Sequence, residues 1–363
     1  MSTATEPRPT RSPHTASSDV LLDIDDLAVH FRTRSGLARV VDGASLKIHR
    51  NEIVGVAGES GSGKTTLVEA ILQIIRFPNR ETHGRVMFTP KSGTPIDLMQ
   101  ANERQMRRIR LSEIAYVPQG SMNSLNPVAR IGDQIVDGMV DHGISARDAR
   151  SEVPDILAQV GLDARVANMY PHELSGGMKQ RAIIAIAISM KPSLIVADEP
   201  TTALDVNVQR RILATLSELR DRLNVAILIV SHDLPVHAQL VDRIAVMYAG
   251  QIVESGDIRS TVKQPMHPYA HGLMEAIPAI LKPRERLEGI RGATPSPTAW
   301  PPGCRFHNRC PHAMEICERV PPRYAPVSPG LRETVYGPID VRPGRDVACH
   351  LYPESTPDGE VPA

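Results

Sequence analysis

The chain has 363 residues, 41% hydrophobic and 23% charged, which is enough apolar mass for one large or two ordinary domains with real cores. Lys plus Arg and Asp plus Glu both number 41, so there is no basic surplus of the kind that marks a nucleic-acid binder. The longest apolar runs, Ala182 to Met190 and Val225 to Val230, fall far short of the roughly 18 residues a membrane-spanning helix needs.

Residues 1–19 are rich in Ser, Thr and Pro and lack the apolar core of a secretory signal, so they read as a disordered tail of a cytosolic protein. Leu21 to Phe31 and Val40 to Ile48 alternate apolar with polar, the pattern of strands in a half-covered sheet. Glu52 to Ala57 is a short buried-strand run, a glycine-rich turn follows, and Thr65 to Ile75 has helical spacing. Further short apolar runs at Glu113 to Val117, Ser193 to Ala197 and Val225 to Val230 alternate with helix-like segments, which predicts an α/β core with a parallel sheet. Between about 120 and 175 no such run occurs, and the segment reads as a helical subdomain with Arg147 to Val160 its clearest helix. After about 262 the texture turns to Pro and Gly, which sets a boundary and leaves 263–363 as a separate extension.

Gly58-Glu59-Ser60-Gly61-Ser62-Gly63-Lys64-Thr65 carries two glycines, four spacers, Lys and a hydroxyl residue between strand and helix. In such a loop backbone N–H groups cradle phosphate, Lys64 reaches the β and γ phosphates, and Thr65 holds Mg²⁺, with Thr66 next in the nucleotide-binding stretch. Ser193 to Glu199 ends an apolar strand on two acids; Asp198 is placed to complete the Mg²⁺ shell and Glu199 to polarise an attacking water. Ser175-Gly176-Gly177 opens a second anion-binding helix, which the chain's own phosphates do not need, and the surplus implies a partner's nucleotide. Phe31 is placed either to stack on adenine or to pack in the core. Arg104, Arg107, Arg108 and Arg110 read as a solvated helix face, with phosphate contact the alternative.

With Leu174-Ser175-Gly176-Gly177-Met178-Lys179-Gln180-Arg181, the sequence from about 20 to 262 resembles the ATPase subunits of ABC transporters. The resemblance implies an α/β, ABC-type P-loop ATPase with a RecA-like parallel-sheet core, an antiparallel β subdomain and a helical subdomain, followed by a small irregular cysteine-containing domain. It implies that Gln119 contacts Mg²⁺ and the attacking water, that Asp205 orders a dimer interface, and that His232 contacts the γ-phosphate. Ser124-Leu125-Asn126-Pro127, Ile131 to Ile135, His267-Pro268-Tyr269 and Ala276-Ile277-Pro278 resemble the dipeptide and oligopeptide branch, which also energises nickel uptake. Where that branch often has an acid and a proline after the glutamine, this chain has Gly120 and Ser121. The resemblance thus implies an ATPase at the cytoplasmic face of the membrane that imports peptides. Its partners would be two transmembrane permease subunits, a second ATPase (itself or a paralogue) and, indirectly, an extracytoplasmic solute-binding protein, with no nucleic acid. A non-transport ABC ATPase, an exporter and a metal-sensing module are the rival readings. The missing basic surplus and single cassette oppose the first, and the missing fused membrane spans oppose the second.

Cys304, Cys310, Cys317 and Cys349 are the chain's only cysteines, and none precedes position 304. A reducing compartment disfavours structural disulfides, so ligation is the natural alternative. The gaps of five, six and thirty-one residues match neither common zinc sites nor simple ferredoxins and leave the ligand open; His307, His312 and His350 nearby favour zinc. The resemblance to peptide-importer ATPases with this tail implies a [4Fe–4S] cluster on the four cysteines, with zinc second.

Overall fold

The computed structural model describes residues 20–76, 79–120, 123–276 and 289–357; the N-terminal tail, Ser121, Ile277 and Pro278 lie outside the described residues. Two alternating strands, β1 (Val20–Thr33) and β2 (Gly36–His49), form an antiparallel hairpin. The chain then crosses into a second sheet through β3 (Ile53–Ala57), every residue of which is buried, and turns into α1 (Lys64–Ile71). That helix stops short of Ile75 because Gln73 takes a left-handed backbone, φ 51°. β4 (Arg80–Phe88) and β5 (Ile96–Asp97) return to the hairpin and complete a four-stranded antiparallel sheet in the order β2-β1-β4-β5.

After α2 (Glu103–Ile109), whose N-terminus is closed by a capping box between Asn102 and Gln105, comes β6 (Ile114–Val117). Arg104, Arg107 and Arg108 of α2 are exposed, while Arg110 donates to the Leu72 and Gln73 carbonyls and pairs with Glu103. Two amphipathic helices, α3 (Ile131–Asp141) and α4 (Ala146–Gln159), occupy the region read as helical, and α5 (Gly176–Ile188) follows. Then alternate β7 (Leu194–Asp198), α6 (Val206–Leu223), β8 (Ala226–Ser231), α7 (Leu234–Leu240), β9 (Arg243–Tyr248) and β10 (Gln251–Asp257).

β3, β6, β7, β8 and β9 run parallel, and residues alternate between two cores across them. Ile195, Ala197, Ile227 and Ile229 join α3 to α6 in one core; Val54, Val56, Val196, Leu228 and Val230 join α1 and the antiparallel sheet in the other. Burial on both faces is why these strands read as unbroken apolar runs.

α8 (Ile258–Lys263) reaches the boundary, and the extension comprises α9 (Pro268–Glu275), α10 (Glu315–Arg319), β11 (Ala325–Pro326), a hairpin of β12 (Gly330–Thr334) and β13 (Gly337–Val341), and β14 (Asp346–Val347). Its strands β14 and β11 add to β10, giving an eight-stranded sheet in the order β11-β14-β10-β9-β3-β8-β7-β6. Glu254 on β10 and Arg345 beside β14 form a fully buried pair, and Glu254 also accepts the Met266 and His267 N–H groups. Among the described residues no helix is long and apolar enough to cross a membrane.

Candidate functional site

The order β3-β8-β7-β6 brings four strand ends side by side, and each carries a residue singled out above: the glycine-rich loop after β3, His232 after β8, Asp198 and Glu199 at the end of β7, and Gln119 after β6. Ligands of open α/β sheets bind at the carboxyl ends of their strands. The loop depends on glycine at two points. A Cβ at Gly58 would lie 2.2 Å from the Met247 carbonyl oxygen, and Gly63 has φ 103° with the Val40 carbonyl oxygen 2.4 Å from any Cβ. Lys64 is buried, and its ammonium donates to the carbonyls of Gly58 (2.8 Å) and Glu59 (2.9 Å) and to Ser62 Oγ (3.3 Å). Burial pulls that ammonium below the usual lysine value, against the attraction of Glu199, Asp198 and Glu59.

Asp198 is fully buried, and neither carboxylate oxygen has a hydrogen-bond partner. Burial raises its carboxyl above the ordinary aspartate range, opposed by neighbouring Thr65 and Lys64. An orphaned buried carboxylate beside a hydroxyl residue is a hard oxygen donor set that fits Mg²⁺.

Glu199 begins the next loop with a left-handed backbone, φ 48°, and its N–H donates to Val230 O at 2.8 Å. Three side chains orient its carboxylate: His232 Nδ1 donates to Oε1 (2.7 Å), while Thr202 Oγ1 (2.9 Å) and Gln119 Nε2 (3.1 Å) donate to Oε2. Burial would raise this carboxyl, but the bonds from His232 and Thr202 and the charges of His232 and Lys64 hold it below the ordinary glutamate value. Glu199, His232 and Gln119, read separately from the sequence, thus meet in one hydrogen-bonded group; Thr202 is its unforeseen member. An oriented, ionised carboxylate can take a proton from water.

Ser175 is exposed and caps α5 through Met178 N–H, and Gly177 packs where a Cβ would meet Val208 of α6 at 2.6 Å. Asp205 caps α6 by accepting from Asn207 and Val208. Phe31 is half-buried on β1 and packs against the core shared by the two sheets.

The four cysteines, all free thiols, line one small, largely enclosed cavity together with His307, His312 and His350. Burial pushes Cys304 up to about 12 and raises Cys310 and Cys349, with nearby thiols adding to each shift. Among the described residues no three His, Cys, Asp or Glu side chains converge to hold one metal ion.

Sequence reasoning passed over Glu59, which fills a spacer position in the phosphate loop. Arg309 of the extension forks onto its carboxylate (2.9 and 3.0 Å), Thr294 Oγ1 donates to it (2.6 Å), and Glu59 N–H donates to Tyr269 Oη (2.8 Å).

Residues 41–202 match the family described as ABC transporter, and 253–317 match oligopeptide/dipeptide transporter, C-terminal region. The dipeptide transport ATP-binding protein DppD of Escherichia coli is 39% identical over 323 residues, covering 88% of this chain and 97% of that protein. The oligopeptide transport ATP-binding protein OppD of Salmonella typhimurium is 39% identical over 334 residues, covering 91% and 97%. Among solved structures, the post-hydrolysis dimer of the ATP-binding cassette MJ0796 with ADP and Pi superposes with a TM-score of 0.57 at 24% identity, over 66% of this chain and 99% of that one. The cbiO1 subunit of Clostridium perfringens gives 0.56 at 25%, over 68% and 92%.

Proposed function

The chain belongs to the ATP-binding subunits of ABC transporters, in their dipeptide and oligopeptide branch, and on that premise we propose that it drives peptide import as one half of a cassette pair beneath two membrane subunits. It is an ATPase, attached to the membrane peripherally through its partners. The observation that carries the reading is the Glu199–His232–Gln119 group at the ends of β7, β8 and β6, where β8 lies beside the strand that opens into the phosphate loop.

In this reading ATP enters with its phosphates over the loop 58–65, and Lys64 exchanges its carbonyl partners for phosphate oxygens. Thr65, Gln119 and Asp198 hold Mg²⁺, which neutralises charge on the phosphates. Thr66 and Phe31 complete the nucleotide contacts. Glu199 accepts the proton of the attacking water, with His232 facing the γ-phosphate. Ser175, Gly176 and Gly177 close on the ATP of the second ATPase, and Asp205 orders the junction between the two. Closure is transmitted to the membrane subunits near Gln119, and a solute-binding protein delivers cargo on the far side.

The four cysteines ligate a [4Fe–4S] cluster in this reading. Their arrival at one enclosed cavity supports it. Reconstitution in vesicles with the membrane subunits tests the cargo. Short peptides delivered by the solute-binding protein should stimulate ATP hydrolysis, whereas stimulation by nickel alone would overturn the peptide reading.

A further inference from the structure

The loop between Cys304 and Cys310 lies against the phosphate loop at two places. Directly, Arg309 holds Glu59 by a two-bond fork, with 7% of the arginine side chain and 26% of the glutamate side chain exposed. Its guanidinium also sits 5.6 Å from the Tyr248 ring centre and 5.8 Å from that of Phe306, so the fork has little freedom to swing away. Indirectly, Arg305 pairs with Asp42 and donates to Ala249 O, and the next residue, Gly250, donates its N–H to Ser62 O at 3.0 Å. Trp300 Nε1 donates to Arg39 O at 2.9 Å and fixes the approach of the extension.

Glu59 is thereby engaged at every polar group. Its N–H and carboxylate are held by the extension, and its carbonyl accepts Lys64 and the Ser62 N–H inside the loop. Because a phosphate loop works by aiming backbone N–H groups, a residue that fixes one of its peptide units affects the site without touching phosphate.

Resting on the ATPase reading, we propose that Arg309 is a positioning residue of the nucleotide site: acting through Glu59, it braces the phosphate loop, and the cysteine-bearing extension thereby belongs to the ATP-binding machinery. The brace is made of this chain's own side chains and is stated independently of what the cysteines ligate.

The test compares wild type, Arg309→Met, Arg309→Lys, Glu59→Gln and the Glu59→Gln/Arg309→Met double variant in the full chain. It reads ATP affinity by calorimetry, steady-state kinetics, and hydrogen exchange across residues 58–65. Loss of a bidentate charge-assisted contact should weaken ATP binding by about tenfold, quicken exchange in the loop, and raise KM for ATP more than it lowers kcat. Arg309→Lys should recover part of the loss, and the double variant should lose less than the two single losses combined. Unchanged affinity and exchange in Arg309→Met, or fully additive losses, would overturn the brace. Should Arg309→Met fail to fold, Thr294→Val takes one bond from Glu59 outside the cysteine loop. A drop of about two- to threefold in ATP affinity supports the brace, and no change overturns it. Wild type that binds no ATP would overturn the nucleotide reading itself.

Discussion

Glu199 combines an oriented, ionised carboxylate with a backbone conformation that costs a non-glycine residue about 1 kcal/mol. Its N–H bond to Val230 and the three donors on its carboxylate hold it there. Glu199→Gln keeps the shape and removes the proton acceptor, so turnover should fall by about 10²–10⁴-fold while ATP still binds. Hydrolysis at the wild-type rate by the purified variant with its partner present would sink the assignment. A second residue-scale consequence concerns buried histidines. His237 is held neutral, its Nε2 donating to Ser231 O, and burial lowers it to about 4; His267, whose Nδ1 accepts Tyr269 N–H, is lowered to about 3. Both folded values lie below the unfolded value near 6.5, so the unfolded chain binds more protons in between. Their contribution is complete above about pH 6.5 and is lost as pH falls toward 4, at up to about 1.4 kcal/mol per pH unit for each. Urea midpoints measured across that window should fall steeply for wild type and less steeply for His237→Asn.

At the scale of elements, α5 and α6 act as one unit. Gly177 lets the start of α5 approach Val208, and Asp205 caps the helix that carries Val208. If Ser175 serves the partner's nucleotide, Lys64→Ala and Ser175→Arg should damage opposite ATP sites, so mixing the two variants in a homodimer leaves one site doubly damaged and one intact. Hydrolysis by the mixed protein measures this; a mixture that recovers no activity, because each site carries one defect, would contradict composite sites. The elements that carry the site were legible because β3, β6, β7 and β8 are covered on both faces, and Gln119, Asp198, Glu199 and His232 sit within two positions of the ends of β6, β7 and β8. β4 was not, since its first six residues are exposed or half-exposed and give no alternation. The Arg309–Glu59 contact had no local signal at all: 250 positions separate its partners, and each reads alone as a surface charge.

For the whole molecule, the extension couples a weakly packed segment to a well-packed one. Among the described residues the extension's own apolar clusters, around Tyr269 with Phe306 and around Val347 with Tyr352, are small, so ligand bonds at the cysteines would supply ordering free energy that packing does not. Protein purified without oxygen should be brown, absorb broadly near ~400 nm and hold about four iron atoms per chain. Colourless protein with about one zinc per chain would replace the cluster with zinc. The extension's docking escaped the sequence because Pro- and Gly-rich chain hides two-residue strands such as β11 and β14. Those two strands have a further consequence. They lie along the outer side of β10, Glu254 opposite Val347 and Ser255 opposite Asp346, and the last of them carries Pro326. An ATPase unit cut back to residue 262 would present β10 as a naked ladder of unpaired N–H and C=O groups, with the Glu254 charge stranded behind it, and such edges recruit other chains strand by strand. The extension therefore guards the catalytic sheet against self-association, whatever it binds.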